Sequence, residues 1–320
     1  MTIKFKGIKT DLEKALVKYD IEAKKIRAMK DGVVNSSFLI FATNGRRYVL
    51  RVYQKGNRSD AQIQNELSVM RKFGLNHIPV VKVLKNQSGS YLTKFSNFSE
   101  KAWRVILMEY VKGEHLKSSQ INLIPTFAKY QAKMHIVADS FERTKNNFLG
   151  KMVSWLENES KEALRNIDEA KLRREYASIS AEILSEAKRR IKEINALPFG
   201  MVHLDYDSDN LIVSQKQIKA ILDFDDISSQ PFILDTANSL WWWLFFNPLK
   251  IHTKIISLYF KTYNKYRLLS KREKDFLPFF IRMRNITLAA ALFVNVKEKR
   301  NLHLLRKALK ADKLFKEMGF

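Results

Sequence analysis

The spacing of apolar residues changes character near residue 113, and that switch limits the folds open to this chain more than any other feature. Before it, β-rich runs alternate with turn signals. Residues 37–43 and 47–53 flank Asn44-Gly45, a pair whose tolerance of positive φ makes it the strongest short-range sign of a hairpin. Residues 80–84, 90–95 and 105–110 read as further strands. Between them, residues 59–73 place Ile63, Leu67 and Met70 on one helical face, with Ser59 or Asp60 as the cap and Gly74 as the stop. Residues 11–30 mix Leu12, Leu16, Val17, Ile21 and Ile26 with Lys and Glu and predict an opening amphipathic helix. After the switch, residues 121–138, 151–198, 232–247, 251–267 and 271–315 carry the helical period, interrupted by strand-like islands at 201–202, 211–213 and 218–222. Strands first and helices after predict an α+β chain of two lobes, residues 1–111 and 112–320.

Composition narrows the chemistry. The 320 residues contain no cysteine, which excludes disulfides, Cys-ligated zinc, iron–sulfur clusters and a thiol nucleophile. A reducing, cytoplasmic setting is therefore expected. Lys4, Lys6 and Lys9 break the apolar run that a signal peptide would need, and Arg282 and Arg284 interrupt the stretch 276–296 that comes nearest to a membrane span. Lys and Arg number 57 against 33 Asp and Glu, a formal charge of +24, which raises the question of a polyanionic partner.

Residues 201–227, MVHLDYDSDNLIVSQKQIKAILDFDDI, carry the chemistry. His203, Asp205 and Asn210 form H-x-D-x-x-x-x-N, a pattern expected by chance ~0.02 times in a chain of this length. Asp223-Phe224-Asp225 follows a hairpin-like pair of short strands. A loop thus brings one carboxylate and one amide oxygen together, and a hairpin returns a second carboxylate to the same edge. A carboxylate and an amide suit the hard cation Mg²⁺ bound jointly with phosphates. The other carboxylate is then placed to orient a hydroxyl and accept its proton, as phosphoryl transfer requires.

This stretch resembles the catalytic and metal loops of the aminoglycoside phosphotransferase and choline kinase family, a branch of the protein-kinase-like fold. The resemblance implies a β-rich nucleotide-binding lobe and a larger helical lobe, with ATP and Mg²⁺ as cofactors and a small-molecule hydroxyl as acceptor. It maps Asp205 onto the catalytic base, Asn210 and Asp223 onto the metal ligands, and His203 and Asp235 onto residues that brace the loop. Leu204 stands where such enzymes carry Gly. The segment Gly32-Val33-Val34-Asn35-Ser36 corresponds to the loop over the nucleotide phosphates, with Asn35 and Ser36 as contacts. Arg51 corresponds to the basic residue that reaches the α- and β-phosphates, where the wider fold has Lys, and Glu66 to its ion-pair partner. Residues 108–113 resemble the hinge whose backbone, at Glu109 and Val111, holds the purine.

Each feature has a plainer reading. Asp207 and Asp209 are either solvated loop residues or substrate-facing charges, Asp225 is either a further metal contact or a substrate anchor, and together with Asp205 and Asp226 they favour an acceptor that bears an amine. Trp241-Trp242-Trp243 could wall a cation site, but three consecutive residues cannot share a helix face, and core packing is the expected role. Phe279, Phe280, Met283 and Phe293 are expected in the helical core. Residues 248–320 hold 18 Lys and Arg against 5 Asp and Glu, which reads as a solvated basic face on folded helices and argues against a nucleic-acid partner. Two other functions fit the motifs less well. A Ser/Thr protein kinase would need a longer segment between Asp223 and Asp235, and an inactive basic binding module would not need the three oxygen-bearing residues intact.

Overall fold

A computed structural model describes residues 8–29, 35–53, 58–96, 102–141, 148–295 and 299–317. The chain divides into two compact units, Met1–His115 with Leu211–Asp225, and Leu116–Asn210 with Asp226–Phe320.

The first unit opens with helix α1 (Lys9–Val17), strands β1 (Ala23–Ala28), β2 (Ser36–Ala42) and β3 (Arg47–Tyr53), and helix α2 (Asp60–Leu75). Strands β4 (Val83–Leu84), β5 (Thr93–Ser96), β6 (Ala102–Glu109) and β7 (Glu114–His115) follow. Among the described residues β1, β2, β3, β6 and β4 lie side by side in that order as an antiparallel sheet, and β5 also pairs with β6. The β2–β3 hairpin turns at Asn44-Gly45 as the sequence predicts. Gly45 has φ +78°, and its N–H donates to the Ala42 carbonyl at 3.1 Å. Leu12 and Leu16 of α1 share one buried cluster with Phe38, Ile40, Leu50 and Leu107, the core face of the sheet.

Two expectations need correction here. The opening helix ends at Val17, and residues 23–28 form β1 instead, pairing Ile26 with Ile40. Asp20 at φ +56° breaks the helix, and an open sheet edge then outweighs the weak helical period of this stretch. Helix α2 also runs through Gly74. Its end is made by Asn76 as C-cap and His77 at φ +57°, with Ile78 N–H donating to the Phe73 carbonyl and His77 N–H to that of Gly74, both at 3.1 Å. Its start follows the sequence: Ser59 and Gln62 form a reciprocal capping box.

The second unit contains helices α3 (Ile124–Ala138), α4 (Phe148–Asn166), α5 (Ala170–Arg189) and α6 (Ile191–Asn195), then strand β8 (Phe199–Val202). The chain next supplies β9 (Leu211–Ser214) and β10 (Gln217–Ile221) to the first unit, where β10, β9 and β7 form a small sheet. It returns with β11 (Ser228–Pro231), antiparallel to β8, and continues through α7 (Phe232–Phe245), α8 (His252–Tyr266), α9 (Lys271–Asn295) and α10 (Lys299–Glu317). Strand β11 reads Ser-Ser-Gln-Pro and offers no alternating apolar signal, so only its pairing reveals it. All three residues Trp241, Trp242 and Trp243 are buried, as are Phe279, Phe280 and Met283. The Trp run is core, and Phe293 lies on α9 at a point where side chains fall outside the described residues.

Candidate active site

In the first unit β3 carries Arg51, which faces Ser37 of β2 on one side and Ile106 of β6 on the other. Its guanidinium gathers three carboxylates. Nη1 lies 3.1 Å from Asp225 Oδ1 and 3.6 Å from Glu66 Oε1, and Nη2 lies 3.1 Å from Asp223 Oδ1. Burial opposes the charge on Arg51, but Asp223, Asp225 and Glu66 prevail and hold its pKa above the usual range. Glu66, at 1% exposure, is pushed up to about 7 by burial, with Arg51 as the main opposing influence. It also accepts from the Tyr53 hydroxyl at 3.3 Å. Asn35 donates its amide to Asp225, while Ser36 is buried in β2 opposite Val52. Gly32, Val33 and Val34 lie outside the described residues.

Beside this cluster is a cavity of about 240 Å³. Val49, Met70, Met108 and Leu222 are among its apolar lining residues, Glu109, Tyr110 and Val111 line it too, and Arg51, Glu66 and Asp223 add charge. An apolar slot with a few convergent charges is the usual form of a small-ligand site. Gly113 is required here by space: a Cβ would sit 2.5 Å from the Ile212 side chain and 2.6 Å from the Val213 carbonyl oxygen. Glu109 N–H is already donated to the Lys82 carbonyl at 2.9 Å, so a ligand at Glu109 meets its carbonyl rather than its N–H.

In the second unit the loop after β8 is held from below by α7. Asp235, fully buried, accepts from Leu204 N–H at 2.5 Å through Oδ1, while its Oδ2 accepts from Gln131 at 2.7 Å and lies 2.9 Å from His135 Nε2. Burial works to raise the Asp235 pKa, but the bonds from His135 and Gln131 overcome it and keep the carboxylate charged. Asn238 donates to the Leu204 carbonyl at 3.0 Å. Both backbone groups of Leu204 are therefore fixed by α7, and its φ of +67° is the left-handed conformation that glycine adopts most easily.

That clamp presents Asp205 and Asn210. The Asn210 amide donates to Asp205 twice, to the backbone carbonyl and to Oδ2, each at 2.8 Å. With its nitrogen used in this way, the amide oxygen of Asn210 is the atom left for a ligand. Asp207 and Asp209 share the loop; Asp209 N–H donates to Asp207 Oδ1 at 3.1 Å. Burial, then the charge of Asp205, pushes the Asp207 carboxyl up to about 7, with Arg284 opposing. His203 is buried, its ring 6.0 Å from that of Tyr206. Asp226 is exposed and accepts from Ser228 through its carbonyl. Arg284 of α9, which the sequence marks only as a break in an apolar stretch, places Nη2 3.3 Å from Asp205 Oδ1. Nothing in the local sequence ties it to the loop, because it lies 79 residues downstream of Asp205 in an otherwise apolar part of the helix.

A β-rich unit with a basic residue among carboxylates, and a helical unit that displays an aspartate and an asparagine on a braced loop, define a phosphotransferase of the protein-kinase-like type. The chain belongs to the phosphotransferase enzyme family, whose model matches residues 25–269. It is a small-molecule kinase of that family. A homoserine kinase of Methylobacillus flagellatus is 21% identical over 266 residues, covering 83% of this chain and 78% of the relative. A homoserine kinase of Caulobacter vibrioides is 23% identical, covering 85% and 82%. Among solved structures, a microcompartment-associated aminopropanol kinase superposes with a TM-score of 0.74 at 17% identity, covering 96% of each chain. An amicoumacin kinase in complex with AMP-PNP, Ca²⁺ and its substrate gives 0.73 at 17% identity, covering 97% of this chain and 96% of the other. At these identities the structural likeness concerns the fold. No helix among the described residues is long and apolar enough to cross a membrane.

Proposed function

We propose that this enzyme transfers the γ-phosphate of ATP, with Mg²⁺, to the hydroxyl of a small molecule that carries an amine. The observation that carries the reading is the Asp205–Asn210 pair on a loop whose backbone is fixed by Asp235 and Asn238. Asp205 would orient the acceptor hydroxyl and take its proton as the oxygen bonds to phosphorus and the bond to the ADP oxygen breaks. Asn210 and Asp223 would hold the metal. Their chemistry fits: both offer hard oxygens, and Asp223 Oδ1 is buried with no hydrogen bond of its own despite the nearby guanidinium. Mg²⁺, when bound, neutralises phosphate charge. Among the described residues no three His, Asp or Glu side chains converge to hold a metal unaided, which fits a cation that arrives with the nucleotide.

Arg51, positioned by Glu66, would engage the α- and β-phosphates, a task that its fork geometry performs bidentately. The purine would enter the apolar slot of the first unit against the backbone of Glu109 and Val111, and Asn35 and Ser36 would contact the nucleotide phosphates. Asp235 and His203 support the loop. The acidic residues Asp207 and Asp209 favour a cationic acceptor, and the names of the relatives, homoserine and aminopropanol kinases, lie in the same class.

Asp205→Asn preserves shape and removes the base. ADP release in the presence of Mg·ATP and a productive acceptor should fall by about 100-fold or more, with little change in thermal stability. Turnover within a factor of two of wild type would remove Asp205 from the proposed role.

A further inference from the structure

Two arginines two residues apart on α9 have opposite fates. Arg282 is buried and fully engaged, with Nε and Nη2 on Asp312 at 3.1 and 3.0 Å and Nη1 on Glu182 at 3.0 Å. Arg284 points the other way, as i and i+2 must on a helix. Among the described residues its guanidinium makes one hydrogen bond, the 3.3 Å contact to Asp205, and its Nε is buried with no partner. The ring of Trp241 lies 5.8 Å from its central carbon. A quarter of the side chain is exposed.

This arrangement is a poor resting state for a catalyst. A guanidinium against the base ties up a carboxylate oxygen that the acceptor hydroxyl has to reach. It also leaves most of a five-donor fork unused. Both problems are solved when a second carboxylate arrives and takes the fork bidentately, releasing Asp205 for the hydroxyl. We propose that Arg284 reads a carboxylate on the acceptor, so that the substrate is a hydroxy amino acid rather than a simple amino alcohol. Its carboxylate pairs with Arg284, and its amine faces the Asp207 and Asp209 side of the loop. The inference rests on the kinase reading above and names the acceptor class of that same site.

The test uses two acceptors that differ only by the carboxylate, homoserine and 3-aminopropan-1-ol, with the full-length protein, Mg·ATP and an ADP-release assay. Wild type should favour homoserine by roughly 10- to 100-fold in kcat/KM, the range of a charged hydrogen-bonded pair. Arg284→Met should bring that ratio towards one, chiefly through the KM for homoserine, and Arg284→Lys should keep an intermediate ratio. Equal use of both acceptors by wild type overturns the inference, and does so even if Arg284→Met fails to fold. So does an Arg284→Met variant that loses both activities in equal proportion or raises the KM for ATP, which would assign the guanidinium to loop support or to phosphate. Turnover of other hydroxyl compounds with neither of these two overturns the inference while the kinase reading stands. Absence of Asp205-dependent turnover with any hydroxyl compound overturns both.

Discussion

At the scale of single residues, the loop of the second unit concentrates its cost at Leu204 and Asp207. Leu204 holds φ +67°, a conformation that costs an L-residue with a side chain about 1 kcal/mol. The fixed donors and acceptors of α7 impose it, and the gain is the presentation of Asp205. The Leu-for-Gly departure therefore leaves the loop shape that glycine would give. Asp207 carries an electrostatic cost. Its carboxyl is pushed up to about 7 by burial and by Asp205, against about 4 in an unfolded chain. Between those values the folded protein keeps a proton that the unfolded chain has lost, so this group favours folding fully below pH 4 and progressively less as pH rises through 7. Asp207→Asn cannot ionise and keeps the acceptor for Asp209. In the absence of nucleotide its melting temperature should match wild type near pH 4 and exceed it increasingly from pH 5 to 8. Because Asp207 is half-buried and partly screened, the gain at pH 8 should be on the order of 1 kcal/mol. A pH-independent offset between the two proteins would refute the assignment. The sequence made this loop legible, since H-x-D-x-x-x-x-N fixes Asp205 and Asn210 by spacing alone. It could not reveal Arg284, because which polar position of a mostly apolar helix meets a loop 79 residues earlier depends on packing.

At the scale of elements, hydrophobic period identified most of the helices and strands, and errors fell where local signals competed with tertiary pairing. Residues 23–28 carry a weak helical period but complete the sheet edge beside β2. Strand β11 has almost no apolar content and exists through β8. Gly74 is the instructive case: as a glycine at the end of an apolar period it reads as a stop, yet it lies within α2, and His77 takes the left-handed position. The two readings give opposite predictions for Gly74→Ala. In a left-handed cap the substitution would destabilise. Inside a helix it should stabilise by about 0.5–1 kcal/mol, and a Cβ at Gly74 would meet the Val80 side chain at an ordinary 3.4 Å. A rise in the midpoint of urea unfolding, with the slope unchanged, is the expected result.

At the scale of the whole molecule, the charge of +24 has a structural counterpart in the second unit. Helix α10 sets Arg306 against Glu169, Lys313 against Glu175 at 3.4 Å and Lys316 against Glu182 at 2.8 Å. Glu175 and Glu182, seven apart, lie on one face of α5. Part of the basic excess is thus matched to an acidic stripe, in agreement with a solvated face on folded helices. These pairs are largely exposed and contribute at most about 1 kcal/mol each. The unmatched charge repels itself throughout the molecule, and both effects weaken as salt shortens the screening length to about 10 Å at 0.1 M. The two predict opposite responses. With 57 basic against 33 acidic side chains, repulsion has many more terms than the few exposed pairs on α10. Raising NaCl from 20 to 300 mM should therefore increase the melting temperature, by about 2 °C for each ~1 kcal/mol relieved. KCl should act equally, since screening does not distinguish the ions. A fall in melting temperature in both salts would mean that the α5–α10 stripe outweighs the net charge, and Lys313→Ala and Lys316→Ala would then destabilise the protein at low salt but not at high salt.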